Sequence, residues 1–119
     1  MTARTIPVYS YNVLIAGPPG GISLEAASVV VGNSPDNELT VTATGLNRGA
    51  YEPGYVFLQA RQNVNDTIDH NYPDEFALQV IQASPDSVTF RIKRLDASLG
   101  WGQELQVDIL FVPFNLLPG

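Results

Sequence analysis

From Val88 to Lys93 the chain alternates apolar and polar side chains without a break, with Val88, Phe90 and Ile92 on one side and Thr89, Arg91 and Lys93 on the other. A period of two belongs to a pleated, extended backbone, in which successive Cβ atoms point to opposite faces. The same period recurs nearby: Phe76, Leu78 and Val80 alternate with Ala77 and Gln79, and Leu105, Val107, Ile109 and Phe111 share one face of the stretch from Glu104 to Pro113. Between the first two stretches, Ser84-Pro85-Asp86-Ser87 supplies a tight turn with proline pre-setting its first central position. These three segments are expected to form a three-stranded antiparallel meander, the last strand following the loop Asp96 to Gly102.

Earlier segments follow the same logic. Thr5 to Ala16, Ile22 to Gly32, Glu38 to Thr44 and Tyr55 to Gln62 read as strands, and in the third Leu39, Val41 and Ala43 alternate with Thr40, Thr42 and Thr44. Ten glycines and nine prolines break the chain into pieces of strand length. The one helix-forming stretch, Ser23 to Ser28, runs straight into β-branched Val29-Val30-Val31. The expected fold is all-β, an antiparallel β-sandwich or small barrel of about seven or eight strands, as one domain over residues 1–119.

Charge narrows the function classes. Six Lys and Arg against twelve Asp and Glu leave a formal net charge of -6, which argues against recognition of nucleic acid or an anionic membrane through a general positive field. Only 15% of residues are charged, a composition that leaves much uncharged surface for meeting other proteins. There is no cysteine, hence no disulfide and no thiolate metal site. The run Val13-Leu14-Ile15-Ala16 is shorter than a secretory signal needs, so the chain is expected to be made in the cytoplasm without a signal peptide.

Catalytic patterns are scarce. One histidine, His70, cannot build a His-rich metal site, and the GxGxxG, GxxxxGK[ST] and GxSxG patterns are missing. Gly17-Pro18-Pro19-Gly20-Gly21 reads as a turn, because its prolines remove the amide donors that a phosphate loop needs. The polar stretch Asn63 to Glu75 holds four carboxylates and the imidazole, oxygen-rich enough for calcium, but its spacing matches no EF-hand and it reads as a solvated loop. Asn65-Asp66-Thr67 fits a glycosylation acceptor, which matters only on secretion. No enzyme activity, cofactor or metal is expected.

Two features point to contacts instead. Trp101 lies between Gly100 and Gly102, where its indole either caps the sheet or stands out as a stacking platform, with Arg94 and Asp96 as polar anchors. The last strand carries Leu110 and Val112 on its nominal outer face and is followed by Phe114, Leu116 and Leu117. Those five residues are expected to be covered by a neighbouring subunit.

The stretch from Phe76-Ala77-Leu78-Gln79-Val80 through Ser87 to Ile92 and on to Trp101 to Leu110 resembles the C-terminal half of H-type lectin-like modules, and similar patterns occur in small virion proteins of tailed bacteriophages. The lectin likeness implies a trimeric sandwich binding a glycan at subunit junctions near the Trp101 loop, although the family's sugar-contacting histidine has no counterpart there. The phage likeness implies a decoration module of a capsid or tail, a homo-oligomer with trimers favoured, located on a virion or other extracellular assembly. The latter is the expected function, with carbohydrate binding through Trp101 as the alternative.

Overall fold

The computed structural model describes residues 2–16, 22–47, 54–62, 76–95 and 100–113. Among them run eight strands: β1 (Thr2–Pro7), β2 (Ser10–Ala16), β3 (Ile22–Ser34), β4 (Glu38–Thr44), β5 (Gly54–Gln62), β6 (Phe76–Ala83), β7 (Ser87–Arg94) and β8 (Trp101–Pro113). They form two four-stranded sheets, ordered β1-β4-β7-β6 and β2-β3-β8-β5, packed as a sandwich with no closed barrel.

Alternation fixes which side chains meet between the sheets. From the first come Leu39, Val41, Ala43, Val88, Phe90 and Ile92; from the second, Ala27, Val29, Val31, Leu105, Val107, Ile109 and Phe111, all at most 5% exposed. Each large aliphatic or aromatic group so buried contributes roughly 1.5–3 kcal/mol relative to exposure.

The β6–β7 hairpin forms around Ser84–Ser87, where the Ser84 amide donates to the Ser87 carbonyl at 2.8 Å. The expected three-stranded meander does not form. β7 gives its other edge to β4, pairing Ser87 through Lys93 with Thr44 through Glu38, so no edge is left for β8. β8 crosses instead to the second sheet and runs antiparallel between β3 and β5. Its alternation reports which side faces the core, not which sheet it joins.

The expected single strand from Thr5 to Ala16 is also divided. β1 pairs in parallel with β4, and β2 pairs antiparallel with β3. At the crossing, the Val8 amide donates to the Thr44 carbonyl of the first sheet at 2.8 Å, and the next amide, Tyr9, donates to Ser28 of the second at 3.0 Å. Two successive amides thus tie the sheets together along one margin.

One end of the sandwich is closed around an irregularity in β3. Its register against β8 shifts on both sides of Gly32, which adopts φ 83°. A bulge of this kind releases carbonyls from the ladder. Side chains from outside β3 take them up: Arg4 Nη1 donates to the carbonyls of Val31 (3.0 Å) and Asn33 (2.9 Å), and Trp101 Nε1 to that of Gly32 (2.8 Å). Beside it, Gly100 donates to Asn37 Oδ1 and accepts from Arg94, while the Arg94 amide donates to the Asn37 carbonyl at 2.9 Å.

Gly100 is held at φ 71°, and a Cβ there would lie 2.3 Å from the Ser34 carbonyl oxygen, whereas a Cβ on Gly32 would meet nothing within 4 Å. Gly100→Ala should therefore lower stability by roughly 2–4 kcal/mol, and Gly32→Ala by only the roughly 1–2 kcal/mol of a left-handed backbone. Urea denaturation of the two variants checks the order; equal losses would contradict this account of the closure.

Candidate functional site

The two outer faces of the sandwich differ in chemistry. On the first sheet, β4 and β7 turn Thr40, Thr42 and Thr44 and Ser87, Thr89, Arg91 and Lys93 outward. These groups pair across strands: the Thr42 and Thr89 hydroxyls lie 3.0 Å apart, Arg91 Nη2 donates to Gln79 Oε1 at 2.6 Å, and Lys93 Nζ lies 3.6 Å from Glu38. Such a face suits water.

On the second sheet the register lines up outward residues in rows. Tyr55 stands opposite Val112; Phe57 opposite Leu110, itself beside Ala26; Gln59 opposite Asp108, beside Ser28; Arg61 opposite Gln106, beside Val30. Tyr55 is 54% exposed, Phe57 55% and Leu110 38%, and the two rings lie 6.1 Å apart on the same strand. One half of the face is therefore aromatic and aliphatic, and the other is polar. A shallow groove of about 450 Å³ runs between them, bordered by Ala26, Ser28, Phe57, Arg61, Asp108 and Leu110.

Asp108 organises the polar half. Its Oδ1 accepts from Ser28 Oγ (2.7 Å), Gln106 Nε2 (3.0 Å) and Arg61 Nη2 (3.4 Å), and its Oδ2 accepts from Arg61 Nε (2.7 Å). Partial burial by itself pushes this carboxyl upward, but the hydrogen bonds from Arg61, Ser28 and Gln106 and the guanidinium charge outweigh it and hold Asp108 below the usual carboxylate range. Each carboxylate oxygen thus accepts a donor from within the chain, while 29% of the Asp108 side chain and 38% of that of Arg61 stay open to water.

Of the residues expected to bind, Trp101 lies in the core. It is 3% exposed, its N–H is used by Gly32, and Phe76 meets its ring edge-on at 5.1 Å. It therefore offers no face for stacking a sugar; the bulge in β3 supplies the acceptor that draws the indole inward. Arg94 is engaged with Gly100 at the same end. Asp96 lies outside the described residues, as do Phe114, Leu116, Leu117 and the segment from Asn63 to Glu75. Leu110 is exposed and Val112 half-buried on the second sheet's outer face. Among the described residues no three His, Asp or Glu side chains converge as a metal site would require.

Sequence reasoning missed Tyr55, Phe57 and Arg61. The signal was the one used for the last strand: Tyr55 and Phe57 alternate with Val56 and Leu58, so β5 is apolar on both faces over this stretch. Comparison of the chain with protein-family models, curated proteins and solved structures found no match.

The depressed Asp108 pKa carries a sign. Its contribution to stability is fully present above the ordinary value of 3.8 and is lost as pH falls through the lower folded-state value. Asp108→Asn should cost on the order of 1 kcal/mol at neutral pH, once solvent screening is counted, with the gap to wild type closing below pH ~4. Denaturation midpoints across that range are the check; a gap that widens in acid would contradict the assignment.

Proposed function

We propose that this chain is a non-enzymatic structural module that works by protein–protein contact through the outer face of β2-β3-β8-β5, as a decoration component of a virion-like assembly of the bacteriophage capsid or tail kind. The observation that carries the reading is the contrast between the two outer faces. Among the described residues the first sheet turns threonine, serine, arginine and lysine outward from β4 and β7 and adds Ala77, Gln79 and exposed Ile81 on β6, whereas the second places Tyr55, Phe57 and Leu110 side by side in the open.

Adjoining exposed apolar groups with a polar rim are the composition of a contact surface. Tyrosine, phenylalanine and arginine are enriched at such contacts. The phage context rests on the likeness of the C-terminal strands and on the acidic, cysteine-free composition. The carbohydrate-binding alternative depended on an exposed Trp101 and is not carried forward, because that ring is enclosed.

Sedimentation equilibrium of the purified chain should return a multiple of 12.9 kDa. Since each copy carries a net charge of -6, association by apolar faces should tighten as salt screens the repulsion. A monomer that persists at high concentration and high salt would contradict the self-assembling module.

A further inference from the structure

Among the described residues β1 is the strand with the least to hold it. It ends its sheet, bound on one side to β4, and that pairing is parallel where every other is antiparallel. Parallel ladders are slightly less stable per residue. None of the fully buried hydrophobic side chains belongs to β1, and only Ile6 from its span packs, partly buried, against the core. Edge strands β5 and β6 bring three such side chains each. β2 also brings one, Tyr11, but the Tyr11 hydroxyl is bound to Glu25 and, at 3.0 Å, to the Asn47 carbonyl.

Two contacts outside the ladder set the limits of this weakly held piece. Towards its start, Arg4 Nη1 donates to the carbonyls of Val31 (3.0 Å) and Asn33 (2.9 Å), on either side of Gly32 in the β3 bulge. A side-chain contact of this kind can release without moving the backbone of β3. Just past its end, the Val8 and Tyr9 amides grip both sheets, at Thr44 (2.8 Å) and Ser28 (3.0 Å). Those bonds cannot break without undoing the crossing itself. Arg4 is thus placed as a latch, and Val8–Tyr9 as a hinge.

The parallel register shows what the piece covers. Counting back by twos from the Val8 amide, which meets Thr44, the amides of Ile6 and Arg4 also point to β4, and those of Thr42 and Thr44 point back to β1. Position 7 then faces away from β4, so Pro7 costs the ladder no bond and blunts the outer edge of β1 against further pairing. The strand beneath has no such guard. Glu38–Thr44 contains neither proline nor glycine and alternates Leu39, Val41 and Ala43 with threonines, a sequence well suited to accept another strand.

We propose that β1 is a cover strand that opens as one unit, swinging about Val8–Tyr9 when Arg4 lets go of the Val31 and Asn33 carbonyls, and so bares the outer edge of β4. Opening frees the amides of Arg4, Ile6, Thr42 and Thr44 together, while the buried rows of β3, β7 and β8 stay packed. It belongs to a single copy and holds whether or not copies associate.

Amide hydrogen exchange of the full chain, read residue by residue by NMR, tests this. Arg4, Ile6, Thr42 and Thr44 should exchange at one common rate, at least about a hundredfold faster than Val29, Phe90 and Val107 in the central strands. Val8 and Tyr9 should exchange more slowly than those four. Arg4→Met should raise the common rate about tenfold and leave the central strands unchanged. Thr5 and Thr42 are register partners on strands ~4.8 Å apart, within reach of a disulfide, and the chain has no cysteine of its own. Oxidised Thr5→Cys with Thr42→Cys should therefore slow the four amides toward the central-strand rate. Rates graded from Thr2 inward would reduce β1 to a fraying end and overturn the proposal. So would exchange of the four in step with Val29, Phe90 and Val107, or an Arg4→Met effect spread equally over all strands.

Discussion

The burial of β8 is the constraint on which the rest of the molecule depends. Leu105, Val107, Ile109 and Phe111 are almost wholly withdrawn from water, and they meet a first sheet whose inner face is built from Leu39, Val41, Val88, Phe90 and Ile92. Only a strand in the opposite sheet can bring such a row into that position. Once β8 crosses over, β3 and β5 are its neighbours, and every residue alternating with the core row faces outward beside them. The surface that distinguishes this chain is therefore a direct consequence of how its core is filled.

That outward row is divided along its length. Near the Pro113 end, Leu110 and Val112 stand among Phe57 and Tyr55; nearer Trp101, Gln106 and Asp108 stand among Arg61 and Ser28. Gln106 is 1% exposed although it lies on an outer face, and it donates to Asp108, while the Arg61 and Asp108 side chains keep 38% and 29% of their surface open. This division, with polar groups paired beside open apolar ones, is the observation on which the proposed contact with another protein rests. Among the described residues the threonine-rich sheet on the other side exposes Ala77 and Ile81 on β6 but sets no two large apolar side chains side by side.

Much of this was legible in the sequence because alternation is local. Glu38–Thr44 emerges with the bounds read from its threonines, and the inner rows of β7 and β8 are those their spacing implies. What could not be read was set by distant partners. The division at Val8 and Tyr9 depends on acceptors at Thr44 and Ser28, and the placement of β8 depends on β4 having claimed the edge of β7. The burial of Trp101 depends on a carbonyl freed by the bulge at Gly32, far away in the chain. The aromatic half of the candidate surface is a different case: β5 displays Tyr55 and Phe57 between Val56 and Leu58 as openly as β8 displays Leu110.

The central claim is that this aromatic half is open in one copy and covered when copies meet. Hydroxyl-radical footprinting at rising protein concentration measures that cover residue by residue. Tyr55, Phe57 and Leu110 should become protected together while Ile81 and Leu95, also exposed in one copy, keep their reactivity. Undiminished reactivity of all five at every concentration would contradict the account.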